Sequence, residues 1–229
     1  MGDKVIVFRA PGAYAEELLV PAGAVLPKPA TLDWNQAAGL MLTGVTATHA
    51  LAATAVGAGD TVLIHGCAGG VGIMAIQLAA GRGATVVATA SPANHTLLAE
   101  LGAIPVAYGP GLADRVRAAA PGGVDAALDL VGTDEALDVS LELVADRDRI
   151  ATIAGFSRGF GAGIKVLGVA PGADNGAAIR DAARLELVRL TEAGALTVHV
   201  QQTFPLAEAA AAHRLLMDGH GAGKVILVP

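Results

Sequence analysis

The stretch Thr61-Val-Leu-Ile-His65-Gly66-Cys67-Ala68-Gly69-Gly70-Val71-Gly72 decides the fold of this sequence. Its first five residues are a short apolar run, typical of a strand that is buried on both faces. Residues 73–80 are apolar nearly all round, which predicts a buried helix. The glycines between them predict a tight turn whose free backbone N–H groups, at the helix start, can receive phosphate oxygens. This strand, glycine turn and helix predict a dinucleotide site; the alternative is a structural turn without a ligand.

The same strand–helix rhythm continues on the carboxyl side of this stretch. Apolar runs predict strands at 84–89, 104–108, 124–130 and 149–153, and the segments between them predict helices at 92–101, 112–120 and 134–143. Short loops and right-handed crossovers give a doubly wound parallel α/β sheet, the Rossmann arrangement. We expect a sixth strand near 164–169, a helix over 174–193 and a strand near 196–200 to extend it, followed by a helix at 205–218 and a last strand at 224–228.

On the amino side, the pattern changes to short strands and prolines. Residues 4–8 and 13–20 predict two strands separated by Pro11-Gly12, and three prolines make 21–30 a rigid linker. Asp33 stands before an apolar run and predicts the cap of a helix from about 34 to 55.

Composition excludes several classes of protein. Of 229 residues, 53% are hydrophobic and 16% charged, which excludes a disordered chain. The net charge is −6 and no basic stripe is visible, so we expect no nucleic-acid partner. A single cysteine excludes an internal disulfide. Residues 34–59 and 61–81 lack charged side chains, but small residues, His49 and the glycine turn favour a buried helix and strand over a membrane span. We expect a cytoplasmic protein.

The end of the second strand bears on cofactor choice. Enzymes that use NAD place an acid there for the ribose 2′-hydroxyl. In this sequence no acid lies between the end of the second strand and Glu100. Ser91, Asn94 and Tyr108 carry polar groups that can donate to a 2′-phosphate, although none is a fixed cation. The sequence therefore predicts NADPH as cofactor; the alternative is that these are ordinary cap and loop residues.

Several motifs occur together in a characteristic order. They are Gly12-Ala-Tyr-Ala-Glu-Glu17, Gly44-Val-Thr-Ala47, Gly59-Asp-Thr-Val-Leu-Ile-His-Gly66, Ala68-Gly-Gly-Val-Gly72, Glu100-Leu-Gly-Ala103 and Gly223-Lys-Val-Ile-Leu227. This order resembles the zinc-independent quinone oxidoreductase branch of the medium-chain dehydrogenase/reductases, over the whole chain. The resemblance implies hydride transfer from NADPH to a quinone, enone or enal, in a cleft between a GroES-like domain and a Rossmann domain.

The resemblance also assigns cofactor residues. Gly69, Gly70 and Val71 would lie under the diphosphate, Thr46 beside the nicotinamide ribose, and Tyr108 near the 2′-phosphate. Other cleft residues implied in this way are Val131, Gly132, Ala154, Gly155 and Phe156. Asn94 replaces the lysine that relatives use for the phosphate, a departure that weakens the NADPH prediction. No catalytic residue is assigned. Lys224 is interpreted as a surface lysine; the alternative is that it approaches the cofactor cleft.

A second departure concerns the GroES-like domain, most of which would precede Gly2-Asp3 in the family. We expect residues 1–30 and 203–229 to be its remnant and 31–202 to be the dinucleotide domain. The chain would then be a fragment, a shortened protein or half of a split enzyme whose partner is a separate GroES-like segment. The resemblance further implies a homodimer formed through the 164–169 edge.

Three functions compete at this point. An NADPH-dependent oxidoreductase acting on a small molecule, incomplete as this chain, leads; a non-catalytic cofactor-binding remnant or interaction subunit is the alternative, and another Rossmann-type nucleotide enzyme ranks third. Cys67, beside a helix start that would lower its pKa, is a weak candidate nucleophile. His213 and His220 have no ligand geometry for a metal, so we expect none.

Overall fold

The computed structural model describes residues 2–219 and 221–229. At the amino end, β1 (Val5–Val7) pairs antiparallel with β2 (Val25–Pro27), and α1 (Trp34–Ala53) follows. Helix α1 begins at Asp33, whose carboxylate accepts the Gln36 N–H while the Gln36 side chain accepts the Asp33 N–H. This capping box confirms the predicted helix start.

Six parallel strands form the central sheet. They are β3 (Thr61–His65), β4 (Thr85–Ala90), β5 (Ala103–Ala107), β6 (Ala126–Asp129), β7 (Ile150–Thr152) and β8 (Lys165–Val166). Their order across the sheet is β5-β4-β3-β6-β7-β8. Successive strands are therefore added outward on one side of β3, and then outward on the other side from β6, so the strand order reverses between β3 and β6. The predicted doubly wound sheet is confirmed, and ligands of such sheets bind at the carboxyl ends of the strands, beside this reversal.

Helices cover both faces of the sheet, and the sheet separates two apolar cores. One core collects buried side chains from α1, α2 (Gly70–Gly81), α3 (His95–Glu100) and α7 (Ala177–Glu192). The other collects them from α4 (Leu112–Ala119) and α5 (Asp134–Leu143). After β7 comes α6 (Phe156–Ala162), and the chain ends with β9 (Val200–Pro205), α8 (Ala209–Met217) and β10 (Lys224–Val228).

Four details of the prediction are wrong. Residues 13–20 form bends and irregular backbone instead of a strand, and Leu19 is fully exposed. The predicted linker at 21–30 contains β2, which completes a pair with β1. The strand expected at 196–200 lies later, as β9, and pairs with β10 in a separate parallel sheet. Helix α6 was not predicted; its glycines disfavour a helix, but Gly159 leaves room where a Cβ would lie 2.7 Å from the Thr152 methyl carbon.

Strand β8, at the edge of the sheet, covers only two residues and is shorter than the strand predicted near 164–169. The Asp174 N–H donates to the Val166 carbonyl at 2.9 Å, and the Gly168 N–H donates to the Asp174 carbonyl at 2.8 Å. The edge at 164–169 is therefore partly covered by the chain itself. Helix α1 packs inside the molecule, and across residues 2–219 and 221–229 no helix has the length and apolar character to cross a membrane.

Candidate functional site

The glycine turn between β3 and α2 depends on two glycines for its shape. Gly66 has φ of +76°, in the left-handed region that favours glycine. A Cβ at Gly72 would lie 2.5 Å from the Cys67 Cα, so only glycine lets α2 approach the turn this closely. Gly69 precedes α2 without any side-chain cap. The N–H groups of Gly70 and Val71, in the first helical turn, have no intrahelical acceptor and are available to an anion.

Lys224 covers this turn with its aliphatic stem. The Gly223 N–H donates to the Ala68 carbonyl at 2.8 Å, which joins the start of β10 to the turn. A Cβ at Gly70 would lie 2.7 Å from the Lys224 Cδ, and burial lowers the pKa of this lysine. The sequence interpretation of Lys224 as a surface residue is therefore wrong.

A cleft of about 550 Å³ opens beside the glycine turn, at the carboxyl ends of β3, β4 and β6. We call it the turn cleft. It brings together five of the residues that the sequence predicted for the cofactor: Gly69, Ser91, Asn94, Tyr108 and Val131. The others, Thr46, Gly70, Val71, Gly132, Ala154, Gly155 and Phe156, do not line it.

One end of the turn cleft is polar without a cation. The Asn94 amide donates to the Ser91 hydroxyl at 3.1 Å, and Tyr108 is 60% exposed. Glu135, in the first turn of α5, also lines the cleft, and its Oε2 accepts the Gly109 N–H at 2.9 Å. Among the described lining residues there is no lysine or arginine. Sequence reasoning missed Glu135, because only the fold brings it to Gly109 and the cleft.

His65 lines the same cleft and is almost completely buried, with 1% of its surface exposed. Its Nδ1 lies 3.3 Å from the Thr89 hydroxyl, whereas Nε2 has no partner among the described residues. Burial lowers the pKa of His65 to about 4, against a smaller opposing effect of Asp129, so the ring is neutral at pH 7. Buried polar atoms are rarely left unpaired, so Nε2 is available to a water molecule or a ligand group that reaches it.

Asp129 and Thr152 hold the two loops that follow β6 and β7. Both side chains are fully buried at the strand ends. The Asp129 Oδ1 accepts the Val131 and Gly132 N–H groups at 3.1 and 2.7 Å, while Oδ2 accepts the Thr152 hydroxyl at 2.7 Å. The Thr152 oxygen in turn accepts the N–H groups of Ala154 and Gly155 at 3.1 and 2.8 Å. We call this pair the loop latch; sequence reasoning did not predict it.

The latch brings the two predicted cofactor loops against each other. A Cβ at Gly132, where φ is +77°, would lie 3.0 Å from the Ala154 Cβ. Farther along, the Phe156 ring lies 3.5 Å from the position of a Cβ at Gly168. Thr46 is buried within α1. These residues therefore continue from the turn cleft toward the β8 side of the sheet.

Two weaker candidates from the sequence can now be judged. Cys67 is fully buried and its thiol donates to the Ile64 carbonyl at 2.9 Å. Burial raises the pKa of this thiol, so the expected lowering by the helix start is wrong. The His213 Nε2 lies 2.9 Å from the Tyr14 hydroxyl, and His220 lies outside the described residues.

Comparison with known proteins gives consistent results. A family model described as zinc-binding dehydrogenase matches residues 101–227. A 2-haloacrylate reductase from Burkholderia sp. is 35% identical, over 100% of this chain and 74% of its own length. A quinone oxidoreductase from Pseudomonas aeruginosa is 31% identical, over 100% of this chain and 75% of its own length. A structure of mycobacterial Rv1454c complexed with NADPH is 31% identical to this chain and has a TM-score of 0.84. The match covers 100% of this chain and 76% of that chain.

The chain therefore belongs to the medium-chain dehydrogenase/reductases, in the zinc-independent quinone oxidoreductase branch. The family description mentions zinc. Within the described part of this chain, however, no group of three or more His, Cys, Asp or Glu side chains could hold a metal ion. These residues do not fit a zinc site, and we derive no chemistry through zinc.

Proposed function

We propose that this protein binds NADPH and reduces a small electron-poor acceptor of the quinone, enone or enal class. The observation that carries the proposal is the glycine turn, with its free helix-start N–H groups, which opens into a cleft lined by Ser91, Asn94 and Tyr108. The relatives support the same class of reaction, because two are named as a quinone oxidoreductase and a 2-haloacrylate reductase, and the structure of a third contains NADPH.

Different residues would bind different parts of the dinucleotide. The N–H groups of Gly70 and Val71, next to Gly69, would donate to the diphosphate. Ser91, Asn94 and Tyr108 would face the 2′-phosphate at the polar end of the turn cleft. The nicotinamide half would lie along the two latched loops, with Thr46 and Phe156 beyond them. NADPH, when bound, supplies a hydride that reduces the acceptor together with one proton.

We propose a division of labour along the chain. Residues 31–202 would form the dinucleotide domain, and residues 1–30 and 203–229 would belong to a second, GroES-like part. The chain spans about three quarters of the length of the two curated relatives. A second candidate function is a cofactor-binding subunit that is not catalytic by itself.

Calorimetric titration with NADPH and NADH tests the proposal. We expect NADPH to bind more tightly, and Gly70→Asp to abolish binding, because its side chain displaces the Lys224 stem and brings a carboxylate to the turn proposed for the diphosphate. Gly122→Asp is the matched control, since a Cβ at Gly122 would meet nothing within 4 Å. A wild-type chain that binds neither dinucleotide would refute the proposal. Oxidation of NADPH with quinones, enals and enones then distinguishes the enzyme from the non-catalytic subunit.

A further inference from the structure

A second cleft, of about 620 Å³, lies between β1, α1 and the segment that follows β8. Its walls are largely apolar and include Phe8, Leu42 and Val169. Two arginines, Arg9 and Arg180, are also among its lining residues. We call it the arginine cleft. Because it is apolar with two cations, it is chemically unlike the turn cleft, whose one charged lining residue among those described is Glu135.

Arg180 is held in place by a buried network. Only 8% of its surface is exposed, and its Nε lies 3.4 Å from the Nδ1 of the fully buried His49. The His49 Nε2 lies 3.0 Å from the Asp174 Oδ2. Since an arginine can only donate, His49 accepts at Nδ1 and donates from Nε2. The two terminal nitrogens of Arg180 have no hydrogen-bond partner among the described residues.

Gly176 shows how tightly this network is packed. Its φ is +58°, and a Cβ there would lie 2.4 Å from the His49 ring. The segment that carries Asp174 therefore closes over His49, and its Asp174 Oδ1 accepts the Gly176 N–H at 2.8 Å. Such packing fixes the position of Arg180 at the cleft.

Arg9 supplies the second cation from the other wall. It follows β1 with φ of +64°, a left-handed conformation that is uncommon for a residue other than glycine. Its guanidinium carbon lies 5.6 Å from the centre of the Phe8 ring, and no carboxylate among the described residues forms an ion pair with it. Strained backbone of this kind is concentrated at binding and catalytic sites.

The charges at the arginine cleft are not balanced. Burial lowers the pKa of Arg180, the positive charge of Arg9 lowers it further, and Asp174 opposes both effects. Asp174, which accepts from His49 and Gly176, is the carboxylate that offsets the charge of Arg180. A buried charge such as that of Arg180 is normally paired through hydrogen bonds, and an arginine fork matches a carboxylate in shape.

Two lining residues of the cleft lie close in sequence to the residues proposed for the nicotinamide end. Val169 follows Gly168, and a Cβ at Gly168 would lie 3.5 Å from the Phe156 ring. Leu42 lies four residues before Thr46, and therefore on the same face of α1. The arginine cleft is therefore lined by near neighbours of Thr46 and Phe156, the two residues that the proposed function places at the nicotinamide end.

We propose that the arginine cleft is the acceptor site and that Arg9 and Arg180 bind a carboxylate, so that the preferred acceptor is a small α,β-unsaturated acid. This inference rests on the proposed function for the identity of the site as an acceptor site. The anion-binding property itself stands on the two arginines and can be measured without cofactor.

The test compares cinnamate with cinnamamide, a neutral molecule of nearly the same shape, by calorimetry on the full chain without cofactor. We expect cinnamate to bind at least about tenfold more tightly, as a charged hydrogen bond contributes. Arg9→Gln, at an exposed position, should remove most of this preference and leave cinnamamide binding unchanged. Arg189→Gln, an exposed arginine of α7 that lines neither cleft, is the charge-matched control and should leave the preference intact.

Three results would overturn the proposal. Equal affinity for cinnamate and cinnamamide would show that the cleft does not select a carboxylate. An equal loss in Arg9→Gln and Arg189→Gln would show that only net charge matters. A weaker affinity of Arg9→Gln for NADPH, with cinnamate binding unchanged, would show that the arginines serve a cofactor phosphate instead. Failure of the wild-type chain to bind NADPH overturns the proposed function but not carboxylate binding.

Discussion

At the scale of single residues, the polar end of the turn cleft combines an asparagine with a carboxylate. Glu135 lines this end together with Asn94 and Tyr108. A carboxylate near a 2′-phosphate repels it, so we expect Glu135→Gln to strengthen NADPH binding by about fivefold, or about 1 kcal/mol at a partly exposed site. NADH, which has no 2′-phosphate, should bind nearly as before. Asn94→Lys should act in the same direction, and calorimetric titration with both cofactors measures each effect.

A matched control for this prediction is available on the same helix. Glu142, near the end of α5, pairs with the exposed Arg117 and does not line the turn cleft. Glu142→Gln makes the same change in net charge and should leave the ratio of NADPH to NADH affinity unaltered. Equal ratios in all the variants would mean that the 2′-phosphate does not bind at this end of the cleft.

His65 makes stability depend on pH. The pKa of its ring is about 4 in the folded protein and 6.5 when unperturbed, and burial is the main cause. As the pH falls below 6.5, the His65 ring becomes protonated in the unfolded chain, whereas in the folded protein it stays neutral down to about pH 4. The free energy of unfolding should therefore fall across this window, by about 3 kcal/mol from this residue. Urea unfolding of wild type and His65→Phe from pH 7 to 4 measures it; equal slopes would contradict the assignment.

At the scale of elements, the loop latch joins the ends of β6 and β7. Thr152→Val keeps the shape of the side chain but leaves the Ala154 and Gly155 N–H groups without their acceptor. We expect a loss of about 2 kcal/mol in unfolding free energy and weaker NADPH binding, whereas Thr152→Ser should retain both. Urea unfolding, hydrogen exchange at Gly155 and calorimetry give the three readouts. Slow exchange at Gly155 in Thr152→Val would show that the latch does not hold the loop.

The elements also show how far the sequence could predict this structure. Apolar runs such as Val62–Ile64 predict buried parallel strands, because a short strand that is covered on both faces is apolar throughout and is bounded by turn residues. The capped start of α1 is local chemistry and is equally readable. Strand β2 and helix α6 depend on contacts distant in sequence, which local patterns do not contain. The same limit hid Glu135 and the latch, since the fold alone brings Glu135 to Gly109 and Asp129 to Thr152.

At the scale of the whole molecule, the β8 edge is the expected dimer surface. Val169 is 93% exposed just beyond the strand, and exposed sheet edges invite pairing. Asp174 covers part of the edge, however, so a partner strand has only a short segment available. We still expect a homodimer, with light scattering as the measurement. A monomer at micromolar concentration would count against this expectation and would indicate that the covering by Asp174 is sufficient to protect the edge.

The openness of the acceptor region decides how active the chain is by itself. Leu42 is 59% exposed and Val169 93% exposed on the walls of the arginine cleft, so water reaches the place where the acceptor would bind. Hydride transfer depends on close positioning and on the exclusion of water. We therefore expect the chain alone to bind NADPH but to oxidise it slowly with quinones, enones and enals. A GroES-like segment, fused or added separately, should cover these walls and raise turnover without changing NADPH affinity. Rapid NADPH oxidation by the chain alone would show instead that the exposed walls, or a second copy of the chain, already close the cleft.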